Sequence, residues 1–327
     1  YEMRIGIVGA GLSGLATAFY VKRTRPDAEL VVFEANPRPG GAMHTEVIEG
    51  FRFEAGPNGF LTNKPDCLQL VQDSGAAEHL LPSSDLARKR FIYTDRLHRM
   101  PESPPSFIQS KLLSWPQKLR MAGEVFVPAR RAGADESLRD FGNRRLGAGF
   151  TSVFLDAMSA GIYGSTPDKL SVEAAFPLVV ALEREYGGLF RGMLAKRKKE
   201  AGPGGVLTST KGGISTLANH LRGVIEAEWR FNEPVQTVER VSAGFRITST
   251  AGVAAVDRVV ICATSYAAAG MVQPLDAELA RRLAAIDYSP IAVVGFGYRS
   301  LPDPLDGFGL LTTSSARLPI LGVLWDS

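Results

Sequence analysis

Short apolar runs and one amphipathic stretch make up the beginning of the chain. Met3–Val8 is largely apolar, which is typical of a strand buried in a parallel sheet. A second apolar run, Glu29–Phe33, follows about 20 residues later. The stretch between them repeats apolar residues at helical spacing, at Leu12, Leu15, Ala16 and Phe19. This order predicts a strand, a helix and a second parallel strand.

The pattern then changes twice. Residues 106–200 are mostly helical in pattern and more basic, and strand-like patterns resume after a glycine-rich loop at 201–205. We predict helices over 65–80, Lys111–Val127, Leu138–Leu146, Phe150–Ala160 and Val172–Lys199. We predict strands at Gly50–Glu54, Lys89–Tyr93, Val235–Val238, Phe245–Thr248, Val256–Cys262 and Ile291–Gly297. Val256–Cys262 is typical of a buried strand, and we predict that it returns to the first sheet. A helical insertion would then interrupt the first domain.

Between the first strand and the first helix lies the glycine motif G-A-G-L-S-G, Gly9 to Gly14 with Ala10, Gly11, Leu12 and Ser13. In such a motif the first glycine permits a tight turn, the second lets the backbone approach a pyrophosphate and the third lets the helix pack on the strand. The positive end of the helix then faces the phosphates. Glu34 follows 20 residues after Gly14, where a carboxylate can accept both ribose hydroxyls. The segment therefore predicts a dinucleotide site.

Composition narrows the class of protein. The chain has 327 residues, 45% of them apolar, which is enough for a sizeable core and two domains. Its formal charge of +3 is too small to indicate nucleic-acid binding. The two cysteines and four histidines show no metal-ligand spacing, so we expect no metal. No apolar run is long enough to predict a transmembrane helix.

A second glycine pair, Gly40-Gly41, indicates which dinucleotide the site binds. The segment E-A-N-P-R-P-G-G, Glu34 to Gly41, resembles the motif by which the flavoprotein amine oxidase superfamily follows its ribose-binding Glu. The superfamily motif often ends in Arg, where this chain has Ala42. The resemblance implies FAD as cofactor, held by Ala35, Arg38, Gly41 and Ala42 in addition to the first motif.

Further segments resemble the oxygen-dependent protoporphyrinogen oxidases of that superfamily. They are Phe53–Phe60, Gly161–Gly164 with the L-S and F-P pairs after it, Lys211–Gly213, Gly307–Leu311 and Leu321–Ser327. The first of them implies that Gly56, Pro57, Asn58 and Gly59 run beside the flavin, although Gly59 stands where the family has Ser. Val235 is expected at the cofactor as well. Family members continue beyond the position of Ser327, so we expect the last part of the family fold to be missing.

The resemblance implies a mixed α/β (α+β) fold with three parts. We expect a Rossmann-like FAD-binding domain at 1–88 and 205–265, a helical domain at 106–204 and an incomplete mixed-sheet substrate-binding domain at 89–105 and 266–327. The implied reaction converts protoporphyrinogen IX to protoporphyrin IX in heme biosynthesis, with O2 as acceptor and hydrogen peroxide as by-product. A second dinucleotide fingerprint is missing from the sequence, which favours O2 over a nicotinamide acceptor.

A flat tetrapyrrole with propionate arms needs apolar walls and a fixed cation. Arg90 matches the propionate-binding arginine of the family, and its planar fork suits a carboxylate. Leu311 and Trp325 align with residues that sandwich the rings. No residue stands out as a general base, so the catalytic residues are unknown.

The sequence leaves more than one function open. A coproporphyrinogen III oxidase of the same fold would need more cations, for which Lys64 is a candidate. Two further candidates are an amine or carotenoid oxidase and a catalytically silent flavin-binding or interaction protein. We expect a cytoplasmic protein whose basic helical segments attach peripherally to the inner face of the cell membrane. The expected protein partner is a second copy of the chain or another enzyme of the heme pathway.

Overall fold

The computed structural model describes residues 3–84, 88–130, 133, 135–199, 205–301 and 305–325. The chain forms two compact units. The first unit comprises Tyr1–Ser83, Gly204–Tyr288 and Ala292–Gly297, and the second comprises Ser84–Pro203, Ser289–Ile291 and Tyr298–Ser327.

A parallel sheet organises the first unit. The strands of this unit are β1 (Arg4–Val8), β2 (Glu29–Phe33), β3 (Thr45–Ile48), β4 (Phe51–Glu54), β5 (Phe60–Leu61), β6 (Leu80–Pro82), β9 (Leu207–Thr210), β10 (Glu228–Arg230), β11 (Val235–Val241), β12 (Gly244–Ser249), β13 (Gly252–Val256) and β14 (Arg258–Ile261). Four of them form the parallel sheet in the order β10-β2-β1-β14. Buried aliphatic residues of β1 and β2 form its centre, because both faces of these strands are covered. The predicted return strand is confirmed: β14 pairs with β1 in parallel, with Ile5 opposite Arg258 and Val8 opposite Ile261.

In the described residues, three small sheets and five helices complete this unit. The small sheets are the antiparallel β11-β12-β13 meander, the β3-β4 hairpin and the β5-β9-β6 sheet. The helices are α1 (Leu12–Thr24), α2 (Pro65–Asp73), α11 (Ser215–Val224), α12 (Ser265–Val272) and α13 (Ala277–Ala284). Gly75, with φ +80°, ends the predicted helix over 65–80 early, and a 3-10 turn at Ala76–His79 follows it.

The second unit combines a mixed sheet with helices. Its strands are β7 (Arg90–Tyr93), β8 (Leu97–Arg99), β15 (Gly309–Thr312) and β16 (Gly322–Leu324). They form a sheet in the order β16-β15-β7-β8, in which the β15-β7 pair is parallel and the two outer pairs are antiparallel. The helices are α3 (Pro104–Gln109), α4 (Trp115–Ala122), α5 (Leu138–Arg145), α6 (Ala148–Phe150), α7 (Asp156–Tyr163), α8 (Val172–Ala175), α9 (Pro177–Tyr186) and α10 (Leu189–Lys199), with a π-helical turn at Thr151–Leu155.

The prediction of one helix over Val172–Lys199 is wrong, because three helices occupy that range. Pro177 starts α9 with a ring that lacks an N–H, and Gly187 ends α9 in the left-handed region at φ +75°. The predicted helix Lys111–Val127 begins only at Trp115, where the Ser114 N–H donates to Gln117 Oε1 at 2.8 Å. Local turn chemistry therefore overrides the apolar periodicity.

The predicted strand Ile291–Gly297 is also wrong. Within the described residues this segment joins no sheet, since no neighbouring strand offers it a ladder of hydrogen bonds. The part of this segment that belongs to the first unit, Ala292–Gly297, lies against the β3-β4 hairpin. Gly295 faces the ring of Phe53, and Gly297 faces the ring of Phe51. Apolar alternation alone does not make a strand. Of the predicted loop 201–205, only Gly205 lies within the described residues.

Candidate functional site

The glycine motif forms a tight turn between β1 and α1. Gly9 has φ +100° and donates its N–H to the Phe33 carbonyl at 2.7 Å. A Cβ on Gly9 would lie 2.9 Å from the carbonyl oxygen of Cys262, and a Cβ on Gly14 would overlap the Gly9 carbonyl oxygen. Both positions therefore require glycine, in the roles that the motif predicts.

Gly11 differs from its two companions because space opens beside it. A Cβ built there would have its nearest neighbour, Gly41 Cα, at 4.0 Å. Gly11 is the N-cap of α1, where no side chain of the described residues caps the helix, so the first-turn N–H groups are available to an anion. Leu12 and Ser13 are exposed at this end. The cradle fits a pyrophosphate, in agreement with a bound dinucleotide.

Glu34 follows β2 and is buried against the motif. Its Oε2 accepts the Ala10 N–H at 2.8 Å, and its Oε1 accepts the backbone N–H and side-chain Nδ2 of Asn36 at 2.9 and 2.7 Å. The Glu34 backbone is held by Arg230 and Glu233, each through one hydrogen bond of 2.9 Å. The carboxylate thus has a fixed orientation next to the turn.

The second glycine pair lies against the first motif. Gly40 donates its N–H to the Ala10 carbonyl at 2.8 Å and forms a parallel bridge with Gly11. Arg38 braces this loop, because its Nη1 donates to the carbonyl oxygens of Gly41 at 3.0 Å and Pro39 at 3.3 Å. The structure therefore brings together the segments 9–14, 34 and 38–41 that the sequence assigned to one cofactor.

The segment Gly56–Gly59 joins the same region through Ala42. A Cβ on Gly56 would overlap the Ala42 carbonyl oxygen, and a Cβ on Gly59 would lie 2.6 Å from the Thr208 carbonyl oxygen. Pro57 is exposed and Asn58 half-buried in this segment. Val235 is buried at the start of β11. Ala35, beside Glu34, is exposed.

Sequence reasoning missed a network that holds these loops. Glu54 Oε2 accepts the Thr45 hydroxyl at 2.8 Å, and its Oε1 accepts the Ile214 N–H at 3.0 Å. Thr45 and Ser215 exchange two further hydrogen bonds, of 2.7 and 3.0 Å, between backbone N–H and hydroxyl. The network ties the β3-β4 hairpin to the N-terminus of α11. The only signal in the sequence is a Ser directly after Gly212-Gly213-Ile214, which is typical of a helix start.

The predicted substrate residues lie in the mixed sheet of the second unit. Arg90 begins β7, and its guanidinium carbon lies 5.6 Å from the ring centroid of Phe308. Trp325 contacts Phe91 with ring centroids 5.4 Å apart, and the backbone N–H of Trp325 donates to the Phe308 carbonyl at 3.0 Å. Arg90 and Trp325 thus each contact one aromatic ring, Phe308 and Phe91 respectively.

Leu311 has different surroundings. It pairs with Ile92 in the β15-β7 register and packs against a core that includes Leu112 and Phe154. A Cβ on Gly161 of α7 would run into its side chain. Lys64 is exposed at the N-cap of α2, in the first unit.

Two neighbouring cations differ in their partners. Lys89 Nζ is paired with both carboxylate oxygens of Asp306, at 2.6 and 2.7 Å. Within the described ranges no carboxylate lies in ion-pair distance of Arg90. Arg90 is therefore the better placed of the two to receive an anionic ligand.

The comparisons with known proteins agree with this geometry. Residues 12–326 match the family described as flavin containing amine oxidoreductase. The chain belongs to this family. The flavin-dependent fold and the FAD cofactor that the motifs predict are thereby confirmed.

Two relatives show which enzymes of this family the chain resembles. The chain is 30% identical to coproporphyrinogen III oxidase of Bacillus subtilis, over 99% of this chain and 73% of that protein. It is 29% identical to the chloroplastic protoporphyrinogen oxidase of Oryza sativa, over 98% of this chain and 65% of that protein. The chain thus spans less than two thirds of the length of the rice relative. The predicted resemblance to the protoporphyrinogen oxidase group is confirmed.

A solved structure shows the same architecture. The crystal structure of an Exiguobacterium protein, provisionally assigned as a protoporphyrinogen oxidase, superimposes with a TM-score of 0.80 at 25% identity, over 98% of this chain and 72% of that one. Putrescine oxidase has a TM-score of 0.57 at 16% identity, over 83% of this chain and 60% of that one. The second match shows the fold alone.

Proposed function

We propose that the chain carries the FAD-binding and much of the substrate-binding part of an oxygen-dependent porphyrinogen oxidase that acts on protoporphyrinogen IX. FAD, when bound, supplies the redox chemistry, and O2 is the proposed acceptor. The residues of the first unit hold the cofactor: the turn Gly9–Gly14 receives the pyrophosphate and Glu34 receives the adenosine ribose. The residues of the second unit orient the substrate.

The observation that carries the proposal is the position of Arg90. Its guanidinium lies at the start of β7, 5.6 Å from the ring centroid of Phe308, and the same sheet region carries the contacting rings of Phe91 and Trp325. A fixed cation next to flat apolar side chains suits a ligand with a flat ring system and a carboxylate arm. One arginine fork can take one propionate of a dicarboxylate tetrapyrrole bidentately.

Coproporphyrinogen III is the second candidate substrate. It is favoured by the 30% identity to a relative named for that substrate. A tetracarboxylate would need additional cations near Arg90, and the neighbouring Lys89 is already neutralised by Asp306. This charge balance supports protoporphyrinogen IX over the second candidate.

An aerobic assay tests the substrate. Porphyrin fluorescence is followed with protoporphyrinogen IX and coproporphyrinogen III side by side, together with peroxide release and corrected for spontaneous oxidation. We expect faster turnover of protoporphyrinogen IX with hydrogen peroxide released. Preference for coproporphyrinogen III would establish the second candidate instead, and turnover of neither substrate by an FAD-loaded chain would contradict both.

Variants of Arg90 test the role of its charge. We expect Arg90→Ala and Arg90→Lys to raise KM for the porphyrinogen by roughly tenfold or more, because a bidentate charge-assisted hydrogen bond is lost. Flavin content should not change, since Arg90 lies outside the FAD-binding motifs. Arg96→Ala, at an exposed position between β7 and β8, serves as the control. Wild-type KM in Arg90→Ala would rule out the propionate contact.

Peripheral membrane attachment is the last part of the proposal. Apolar side chains of the helical segment are exposed, among them Trp115, Leu119 and Phe126, and Lys118 Nζ lies 4.9 Å from the ring centroid of Trp115. Apolar side chains beside basic ones suit an anionic lipid surface. None of the helices in the described part of the chain is long and apolar enough to cross a bilayer. Flotation with anionic vesicles should decrease in Trp115→Ser but not in the exposed control Val253→Ser, and equal flotation would contradict the attachment.

A further inference from the structure

Three N–H donors already occupy the carboxylate of Glu34. They are the Ala10 backbone N–H on Oε2, at 2.8 Å, and the backbone N–H and side-chain amide of Asn36 on Oε1, at 2.9 and 2.7 Å. An ionised carboxylate has about four acceptor positions. One position remains, on Oε2. Three donors therefore set the orientation of the Glu34 carboxylate before any ribose hydroxyl reaches it.

We propose that Asn36 is a positioning residue that holds the Glu34 carboxylate in the orientation that receives the adenosine ribose. This inference rests on the proposed FAD-binding role of the glycine motif and goes beyond it, since Asn36 lies within the segment Glu34–Gly41 but was assigned no role there. Its side-chain amide makes the shortest of the three hydrogen bonds. A charge-assisted hydrogen bond of this kind is among the stronger ones in proteins.

Asn36 fixes the orientation of the Glu34 carboxylate in the free protein, before FAD binds. Without the side-chain amide, Glu34 Oε1 would keep only the Asn36 backbone N–H, and the carboxylate could take other rotamers. FAD binding would then have to fix the Glu34 carboxylate in one rotamer. This loss of conformational freedom would reduce the affinity for FAD. Asn36 is itself exposed, so replacing its side chain should leave the core intact.

The test compares two variants of Asn36 in the otherwise unchanged chain. Asn36→Ala removes the donor, and Asn36→Asp replaces it with a carboxylate that repels Glu34. We expect the Kd of FAD, measured by flavin fluorescence titration of the apo-protein, to rise about tenfold in Asn36→Ala and further in Asn36→Asp. The Kd of FMN, which lacks the adenosine half, should be the same in all variants.

Controls separate positioning from folding. Asn219→Asp makes the same chemical change at an exposed position of α11 and should bind FAD like the wild type. Thermal unfolding of the apo-proteins should agree within a few degrees. FAD binding by the wild type with an unchanged Kd in both Asn36 variants would overturn the inference alone. An equal loss of FMN and FAD affinity would also overturn it, and a wild-type chain that binds no FAD would overturn both the inference and the proposed cofactor site.

Discussion

The glycines of one motif have different neighbours, and this decides what each of them does. Gly14 is enclosed by protein, since a side chain there would overlap the Gly9 carbonyl oxygen. Gly11 faces open space, and its φ of −67° and ψ of 179° suit any residue. Gly14 is therefore needed by the fold, whereas Gly11 is needed only when a ligand occupies the space beside it.

Substitutions at the two glycines should separate folding from cofactor binding. Gly14→Ala should destabilise the apo-protein by about 1–3 kcal/mol, because the added methyl group forces the turn and α1 apart. Gly11→Val should leave the free energy of unfolding near the wild-type value and raise the Kd of FAD at least about tenfold. Urea denaturation and flavin fluorescence titration measure the two effects. Tight FAD binding by Gly11→Val would show that the pyrophosphate lies elsewhere.

At the scale of elements, buried charges hold the helices of the second unit together. Arg145 is fully buried and pairs with Glu124, which also accepts the N–H groups of Leu189 and Phe190 at 2.8 and 3.3 Å. Glu183 of α9 accepts two hydrogen bonds from Arg144 of α5, of 2.7 and 3.1 Å. These contacts join α5, α9 and the start of α10. A buried charge whose partner is removed is strongly destabilising, so the network acts as one unit.

Glu183 makes this network sensitive to acid. Burial alone would raise the pKa of Glu183, but the hydrogen bonds from Arg144 and from the Arg130 N–H outweigh it and hold the pKa below its usual value of 4.5. A carboxylate with a lowered pKa stabilises the fold above its unfolded-state pKa, and this stabilisation is lost as the pH falls through the folded-state pKa. Its contribution should therefore be complete at pH 7 and decline below about pH 4.5.

Glu183→Gln should lower the free energy of unfolding by about 1–3 kcal/mol at pH 7, because Arg144 and the buried Arg145 each lose one of their two carboxylate partners. The difference from the wild type should shrink as the pH falls below about 4.5 and through the lowered pKa of Glu183. Denaturant unfolding at a series of pH values measures both effects. The exposed neighbour Glu185→Gln is the control and should change the stability by less than about 0.5 kcal/mol. A difference that is independent of pH would contradict the ionic role of Glu183.

On the scale of the whole molecule, each of the two units has its own hydrophobic core. The core of the first unit lies on both sides of the parallel sheet, around Ile7, Leu15 and Val31. The second unit is organised around Leu138, Phe141 and Ile92. The FAD-binding motifs all belong to the first unit, and the predicted substrate residues all belong to the second.

FAD binding should consequently stabilise one unit more than the other. At an FAD concentration of about 100 times Kd, a ligand that binds only the folded state adds about 2.7 kcal/mol to its stability. We expect amide hydrogen exchange to slow by up to about 100-fold in β1, β2 and α1. Exchange in α5 and α9 should change little. Equal slowing in all these elements would show that the chain unfolds as a single cooperative unit.

The sequence alone determined the features that depend on spacing along the chain. The strand, glycine turn, helix and second strand up to Glu34 were predicted correctly, because each residue acts on neighbours within a few positions. The return of a strand within Val256–Cys262 to the first sheet followed from the apolar run Val259–Cys262, although Val256 itself ends β13. The family resemblance of the motifs also required only the order of residues.

Tertiary structure decided the features that depend on distant contacts. The occupied acceptor positions of Glu34, the tie between Glu54 and the start of α11, and the pair of Arg145 with Glu124 join residues that no pattern connects. The segment Ile291–Gly297 is the opposite case. Its apolar pattern predicts a strand, but within the described chain it pairs with no other strand. Hydrogen-bond partners and open space are properties of the folded arrangement. The sequence therefore singled out the residues that we propose for the cofactor site, whereas only the structure showed which of their atoms already have hydrogen-bond partners.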